Sequence, residues 1–401
     1  MIPVTIIYPN DPTSAKVGGV ETFLRGFVKY APSDFSLRYV GITVDRGNYS
    51  PGRWHTLRVH GRELPFFPVL AERDENRKTL IPLSLRFTWR LFKKPADLSG
   101  SVLLFDRIEP VVAFRKTPGP KIGVIHNDIE SQIQTKRSEV LWSRFPAIYF
   151  LFEKAVFPHL DAIYTVSEKT LAFYKDRYKT QAGKFAFLPT WVDPEVFSPS
   201  DLDKSQIRKT LKHSYPDLNE SKAWILFVGR LQEQKAPLRL VETFRAYHKK
   251  NPQSILILVG EGNLKQRTQN RARELGLGAS VFFLGNKTQA ELAQFYRAAD
   301  VLVLTSNFEG MPRCVLEALG SGLPVVSTLV GEVRRVVRNG FSGEIVEEFS
   351  AERIGLAVQK VLDNAPAYST ANCLESVSEY HPKKVLAALY ERIRELGTSA
   401  A

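Results

Sequence analysis

Short, apolar, β-branched runs alternate with longer amphipathic stretches along this 401-residue chain. Val4–Tyr8, Arg38–Val44, Val102–Phe105, Ile122–His126 and Ala162–Val166 have the length and composition of strands buried on both faces. So do Ile225–Val228, Ser254–Val259, Val281–Leu284, Val301–Thr305 and Pro324–Ser327. Helical periodicity fills the gaps, for example over Pro237–Lys249, Leu264–Leu275 and Gln289–Ala298. This order predicts α/β structure with doubly wound, parallel sheets. The chain is too long for one ordinary core and suits two domains. A Pro-rich, polar stretch over Thr190–Ser200 marks the break, giving domains at 1–192 and 199–381. A last helix is expected over Pro382–Leu396.

Bulk properties exclude several classes. Two cysteines, Cys314 and Cys373, make no disulfide framework and point to a reducing cytosol. The N-terminus enters a strand at once, with no basic segment ahead of a long apolar one, so no signal peptide is expected. No run of 18 apolar residues occurs. Of the net charge of +13, residues 1–190 carry +10. That asymmetry implies an anionic partner for the first half. Arg73–Lys94 interleaves Leu80, Ile81, Phe87, Trp89 and Phe92 with Arg86, Arg90, Lys93 and Lys94. It reads either as an interfacial segment for an anionic membrane surface or as a core-facing helix with a solvated basic face.

Candidate chemistry collects at strand ends, where ligands bind in open α/β sheets. Glu309 lies in the loop beyond the run Val301–Thr305, in a turn with Gly310 and Pro312, and Glu317 falls about two helical turns further on. Two carboxylates there can accept from sugar or ribose hydroxyls. Arg230 and Lys235 follow Ile225–Val228 and supply two cations for a diphosphate. Gly18 and Gly19 precede the first helix, where bare backbone N–H groups can approach phosphate. His126 closes a strand, with Asp128 two residues on, and Asp106 and Arg107 end another. Asp201 and Asp203 have metal-type spacing but lie off any strand end, and read as the cap region of a helix over Gln206–Lys212. The seven histidines form no zinc pair, and no P-loop pattern occurs.

The segment from Phe308-Glu309-Gly310-Met311-Pro312 through Glu317-Ala318-Leu319-Gly320 to Leu323-Pro324-Val325-Val326 resembles the signature of the GT-B-fold retaining glycosyltransferases of family 4 type. The resemblance implies two Rossmann-like domains facing each other across a donor cleft, the first holding the acceptor and the second a nucleotide sugar. It implies that Glu309 and His126 meet the transferred sugar, and that Gly18, Gly19, Arg230 and Lys235 face the diphosphate. Glu317, Gly260, Glu261 and Asn286 would then lie beside ribose and base, with Asp106, Arg107 and Asp128 on the acceptor side. A UDP-sugar is the expected donor, with a GDP-sugar the alternative, and a lipid-linked or polysaccharide acceptor would fit cell-surface glycan synthesis at the inner face of the cytoplasmic membrane. No cofactor, metal or nucleic acid is expected. Two departures stand out. Ala236 replaces the glycine that usually follows the lysine, and Gly331-Glu332 with Arg335 replaces two glycines and a glutamate. Two other readings are a basic nucleic-acid-binding protein, for which no recognised module is present, and a related GT-B enzyme such as a sugar-nucleotide epimerase.

Overall fold

A computed structural model describes residues 1–14, 19–74, 80–93, 97–126 and 146–399. The chain forms two compact units, Met1–Pro189 with Pro382–Ala401, and Thr190–His381.

The first unit is built on an eight-stranded sheet of β1 (Ile2–Ile7), β2 (Phe35–Thr43), β3 (His55–Val59), β4 (Arg62–Ala71), β5 (Val102–Phe105), β6 (Lys121–Ile125), β7 (Ala162–Thr165) and β8 (Phe185–Phe187). Their order is β3-β4-β2-β1-β5-β6-β7-β8. Every pairing is parallel except β3 with β4. The five expected strands are present. The β3–β4 hairpin and β8 are additions. The terminal helix breaks at Leu386, giving Pro382–Val385 and Ala387–Ser399. The second piece lies on β1 and β5, and its Tyr390 hydroxyl donates to Phe27 O at 3.0 Å.

The second unit has β9 (Ala223–Val228), β10 (Ser254–Val259), β11 (Val281–Phe283), β12 (Val301–Leu304), β13 (Val325–Thr328) and β14 (Gly343–Val346), in the order β11-β10-β9-β12-β13-β14. All pairings are parallel. Alternate side chains serve opposite faces, as strand geometry requires. Trp224, Leu226, Leu302 and Leu304 join one core cluster, while Ile225, Phe227, Val301 and Val303 join the other. Both faces being covered explains why these strands are apolar throughout. Residues 190–198, expected as a connecting stretch, pack into this unit: Val192 and Phe197 are buried in its core, and Trp191 is 1% exposed. Asp203 caps helix Lys204–Ser214 in a capping box with Gln206, the helix-cap role expected for this D-x-D segment.

Candidate active site

In the second unit, three strands of the sheet end in glycine-bearing loops that lie against one another. A Cβ on Gly260 would come within 2.1 Å of Gly229 O, and one on Gly262 within 2.3 Å of Leu231 O. Gly260 also bridges to Gly285. Only a bare backbone allows that approach. The loops after β9, β10 and β11 therefore form one surface, carrying Arg230, Glu261 and Asn286. Arg230 and Asn286 are exposed, and Glu261 is engaged by Lys265 at 2.6 Å.

Beside that surface, the loop after β9 meets the loop after β12. Lys235 Nζ lies 2.5 Å from Glu309 Oε1, and Ser306 Oγ donates to the same oxygen at 2.6 Å. Gln234 Nε2 donates to Phe308 O at 3.2 Å and reaches Glu309 Oε2 at 3.4 Å. Backbone contacts lock the two loops together: Asn307 N donates to Gln234 O at 2.8 Å, and Thr305 Oγ1 to Lys235 O at 3.0 Å. The side chains of Lys235 and Glu309 are only 14% and 8% exposed. Burial works against the lysine's charge, but the Glu309 carboxylate more than offsets it and holds the ammonium above the ordinary lysine value. From the other side, Glu332 N donates to Gly310 O at 2.9 Å. Gly331 has φ +49°, and a Cβ there would meet Gly310 O at 2.0 Å. The Glu332 carboxylate pairs with Arg335 at 2.9 Å, so two of the residues that depart from the family pattern partner each other.

Glu317 sits on helix Arg313–Gly320. Tyr296 donates to its Oε2 at 2.9 Å, and Arg313 Nε lies 3.7 Å from its Oε1. Burial pushes the thiol of Cys314, beside them, up to about 12.

In the first unit, His126 Nε2 and Asp106 Oδ1 lie 2.6 Å apart. The ring packs edge-on against Phe23 at 4.8 Å, which stands on helix Gly19–Tyr30. Asp106 is buried, and burial raises its carboxyl pKa even against the His126 hydrogen bond. Arg107 turns to Glu109 at 3.2 Å. Thus His126, Asp106 and the helix that begins at Gly19 converge. Gly18 and Asp128 lie outside the described residues. Among the described residues no group of three His, Cys, Asp or Glu could hold a metal. Ser306, Gln234 and Tyr296 escaped sequence reasoning. Of these only Ser306, at the end of an apolar run and three residues before Glu309, carried a local signal.

Two doubly wound parallel sheets, with acidic, basic and glycine-bearing loops at strand ends, define a GT-B architecture. Solved structures agree over the whole chain. Sucrose-phosphate synthase from Thermosynechococcus elongatus aligns at TM-score 0.79 and 19% identity, covering 100% of both chains. Anabaena HepE, solved in complex with UDP and glucose, aligns at 0.72 and 15%, covering 99% of this chain and 100% of that one. The model for glycosyl transferases group 1 matches residues 209–375, and that for glycosyltransferase family 4 matches residues 17–196. The chain belongs to this family of GT-B glycosyltransferases. A D-inositol 3-phosphate glycosyltransferase of Stackebrandtia nassauensis is 33% identical over 224 residues, 53% of this chain and 49% of that protein. The Escherichia coli UDP-Gal:alpha-D-GlcNAc-diphosphoundecaprenol alpha-1,3-galactosyltransferase is 30% identical over 184 residues, covering 45% and 46%. The chain spans about half the length of the curated relatives it matches.

Proposed function

We propose that this protein is a retaining glycosyltransferase that moves a hexose from a nucleotide diphosphate sugar to a lipid-linked or polysaccharide acceptor in cell-surface glycan synthesis, at the inner face of the cytoplasmic membrane. The observation that carries the reading is the buried Lys235–Glu309–Ser306 contact where the loops after β9 and β12 meet. An ammonium has three donors. Lys235 can therefore keep Glu309 and still give a hydrogen bond to a phosphate oxygen. Arg230, exposed five residues earlier, adds a second cation. Together they stabilise charge that develops on the diphosphate as the glycosidic bond breaks. Glu309, fixed by Lys235 and Ser306, accepts from hydroxyls of the transferred sugar. Glu317, held by Tyr296, accepts from ribose hydroxyls, and Gly260, Glu261 and Asn286 border the base. Gly18 and Gly19 are the first unit's candidates for contact with the diphosphate. His126, oriented by Asp106, contacts the sugar, with Arg107 and Asp128 on the acceptor side. Retention fits a front-face attack in which the leaving phosphate takes the acceptor's proton. With cations in place at the diphosphate, no metal is required. Uridine is favoured as the base because it appears in the names of a relative and a structural neighbour.

The test is turnover of a panel of nucleotide sugars by the purified chain, with and without excess chelator. The expected outcome is preferential consumption of a UDP-sugar, a product of retained anomeric configuration, and an unchanged rate in chelator. Consumption of none of the panel would reject the transferase reading. Inverted product would reject retention, and loss of activity in chelator, restored by a divalent cation, would reject the metal-free mechanism.

A further inference from the structure

At the carboxyl edge of the first unit's sheet lies a cavity that none of the candidate active-site residues lines. It encloses about 580 Å³ between the end of β4, the loop that follows β2, and helix Leu83–Lys93. That volume falls in the range of roughly 300–1,000 Å³ typical of small-ligand sites. Its floor is apolar, formed by Val69, Leu70 and Ala71. Its walls are mainly basic: Arg46 comes from the loop after β2, and Arg86 and Arg90 come from the helix, with Trp89 beside them. The loop wraps the strand end because Gly52 N donates to Pro68 O at 2.8 Å.

Charge decides what the cavity can take. Glu72 is the one carboxylate in the lining, and it is committed to Arg86. No ion pair among the described residues holds Arg46 or Arg90. Lys93 Nζ sits 3.8 Å from the centre of the Trp89 ring, adding a further cation at the rim. Guanidinium groups present paired donors that match phosphate oxygens. An apolar floor below such donors suits a ligand with a phosphate and a less polar remainder. The site is also separate from the His126–Asp106 pair. β2 and β5, which ends just before Asp106, are two strand spacings apart in the sheet, roughly 10 Å at about 4.8 Å per strand.

We propose that this cavity binds the phosphate or diphosphate group of the acceptor. The assignment rests on the transferase reading for the word acceptor, and on the cavity alone for the phosphate. Helix Leu83–Lys93 then has a recognition role: Arg86 and Arg90, one turn apart on it, close on the anion from one side while Arg46 closes from the other.

The experiment is calorimetric titration of the full chain, held in saturating UDP so that any diphosphate site of the second unit is filled. The probes are inorganic pyrophosphate, farnesyl diphosphate and farnesol. A variant with Arg46→Ala and Arg90→Ala is compared with a charge-matched control carrying Lys249→Ala and Lys250→Ala, both exposed and in the other unit. At least one of the two phosphate probes should bind wild type and the control alike, and weaken at least about tenfold in the arginine variant, as expected for lost charged hydrogen bonds. Equal affinity for the two phosphate probes identifies a water-soluble phosphorylated acceptor. Tighter binding of farnesyl diphosphate, with no binding of farnesol, identifies a lipid phosphate. The proposal is overturned if neither phosphate probe binds wild type, if the arginine variant binds them unchanged, or if the chain binds only phosphatidylglycerol vesicles. The titration needs no turnover. A chain that binds the probes but transfers no sugar keeps the phosphate site and rejects the transferase reading; a chain that transfers but binds neither rejects the site.

Discussion

Lys235 and Glu309 are the residues on which the functional reading turns, and each is the other's main neighbour in the ligand-free chain. Breaking a buried ion pair costs more than replacing it, because the surviving charge is left without a partner. Lys235→Met should therefore destabilise the chain by about 3–5 kcal/mol. Glu309→Gln should do so by less, since Ser306 and Gln234 still hold the amide. Combining the two should restore much of the stability and none of the transfer activity. Urea unfolding and turnover measured on the three variants separate these roles. Near-normal turnover in Glu309→Gln would reject its contact with the sugar, and additive losses of stability would reject the coupling. Nucleotide binding should survive Glu309→Gln but not Lys235→Met, because of the two it is the lysine that is proposed to meet the diphosphate. Both residues were visible in the sequence as strand-end groups. Their pairing was not, because 74 positions separate them and nothing local records which loops the sheet order brings together. His126 and Asp106 repeat the case: each stood out as a strand-end residue, and only the adjacency of β5 and β6 makes them a pair.

Among the elements, the turn that delivers Lys235 carries a visible strain. Ala236 adopts φ +46°, ψ +56° between a 3-10 turn and helix Pro237–His248. A side chain in that left-handed region costs roughly 1–2 kcal/mol, which glycine does not incur. Ala236→Gly should stabilise the chain by about 1 kcal/mol after the greater freedom of glycine in the unfolded state is offset. Denaturant melting checks it, and an unchanged or lowered midpoint would show that the turn is not strained. A second element, helix Pro146–Val156, buries Glu153 among Tyr174 and Tyr178, whose hydroxyls donate at 2.6 and 2.8 Å. Burial is the dominant effect and raises this carboxyl from 4.5 to about 7. The folded chain thus holds the proton more tightly than the unfolded one. Stability from this group is complete below pH about 4.5, declines as the pH rises to about 7, and is level above it, a loss on the order of 3 kcal/mol. The Tm advantage of Glu153→Gln over wild type should therefore grow between pH 5 and pH 7.5, and a constant difference would contradict it. The central strands of both sheets were legible because burial on both faces makes them unbroken apolar runs. Four strands near the sheet margins, β3, β4, β8 and β14, were not, although the edge strand β11 was. β4 carries Pro65 and Pro68, the second beside an irregular register at Gly41/Ile42, where proline can sit in a sheet. β8 is three residues long, and β14 opens on Gly343-Glu344. Short or polar strands need neighbours to define them, and periodicity does not supply those.

Across the whole molecule, charge follows the fold: the unit of Met1–Pro189 with Pro382–Ala401 carries +12 of the net +13. Residues 1–190 carry +10 of the net +13. The first unit also exposes a cluster of large apolar side chains: Ile81, Trp89 and Phe92 are 57%, 54% and 55% exposed, and Leu80 is fully so. Trp89 and Phe92 lie on helix Leu83–Lys93, whose other face buries Phe87 and Leu91. The core-facing reading of this segment therefore holds, and the helix's other side pairs Trp89 with Arg90 and Lys93. Lys94 lies outside the described residues. No helix among the described residues is long and apolar enough to cross a membrane. Each basic residue near an anionic bilayer contributes on the order of 1 kcal/mol, screened beyond a Debye length of about 8–10 Å. Aromatic side chains at the interface add an apolar contribution that salt does not screen. The expected behaviour is adsorption to anionic vesicles that weakens as salt rises but keeps a residue at high salt. Neutralising Arg86, Arg90, Lys93 and Lys94 together should abolish the salt-sensitive part. Replacing Trp89 and Phe92 with serine should abolish the remainder. Co-sedimentation with anionic and neutral vesicles at low and high salt measures both parts, and equal recovery in all four supernatants would reject membrane adsorption while leaving the chemistry at Lys235 and Glu309 untouched.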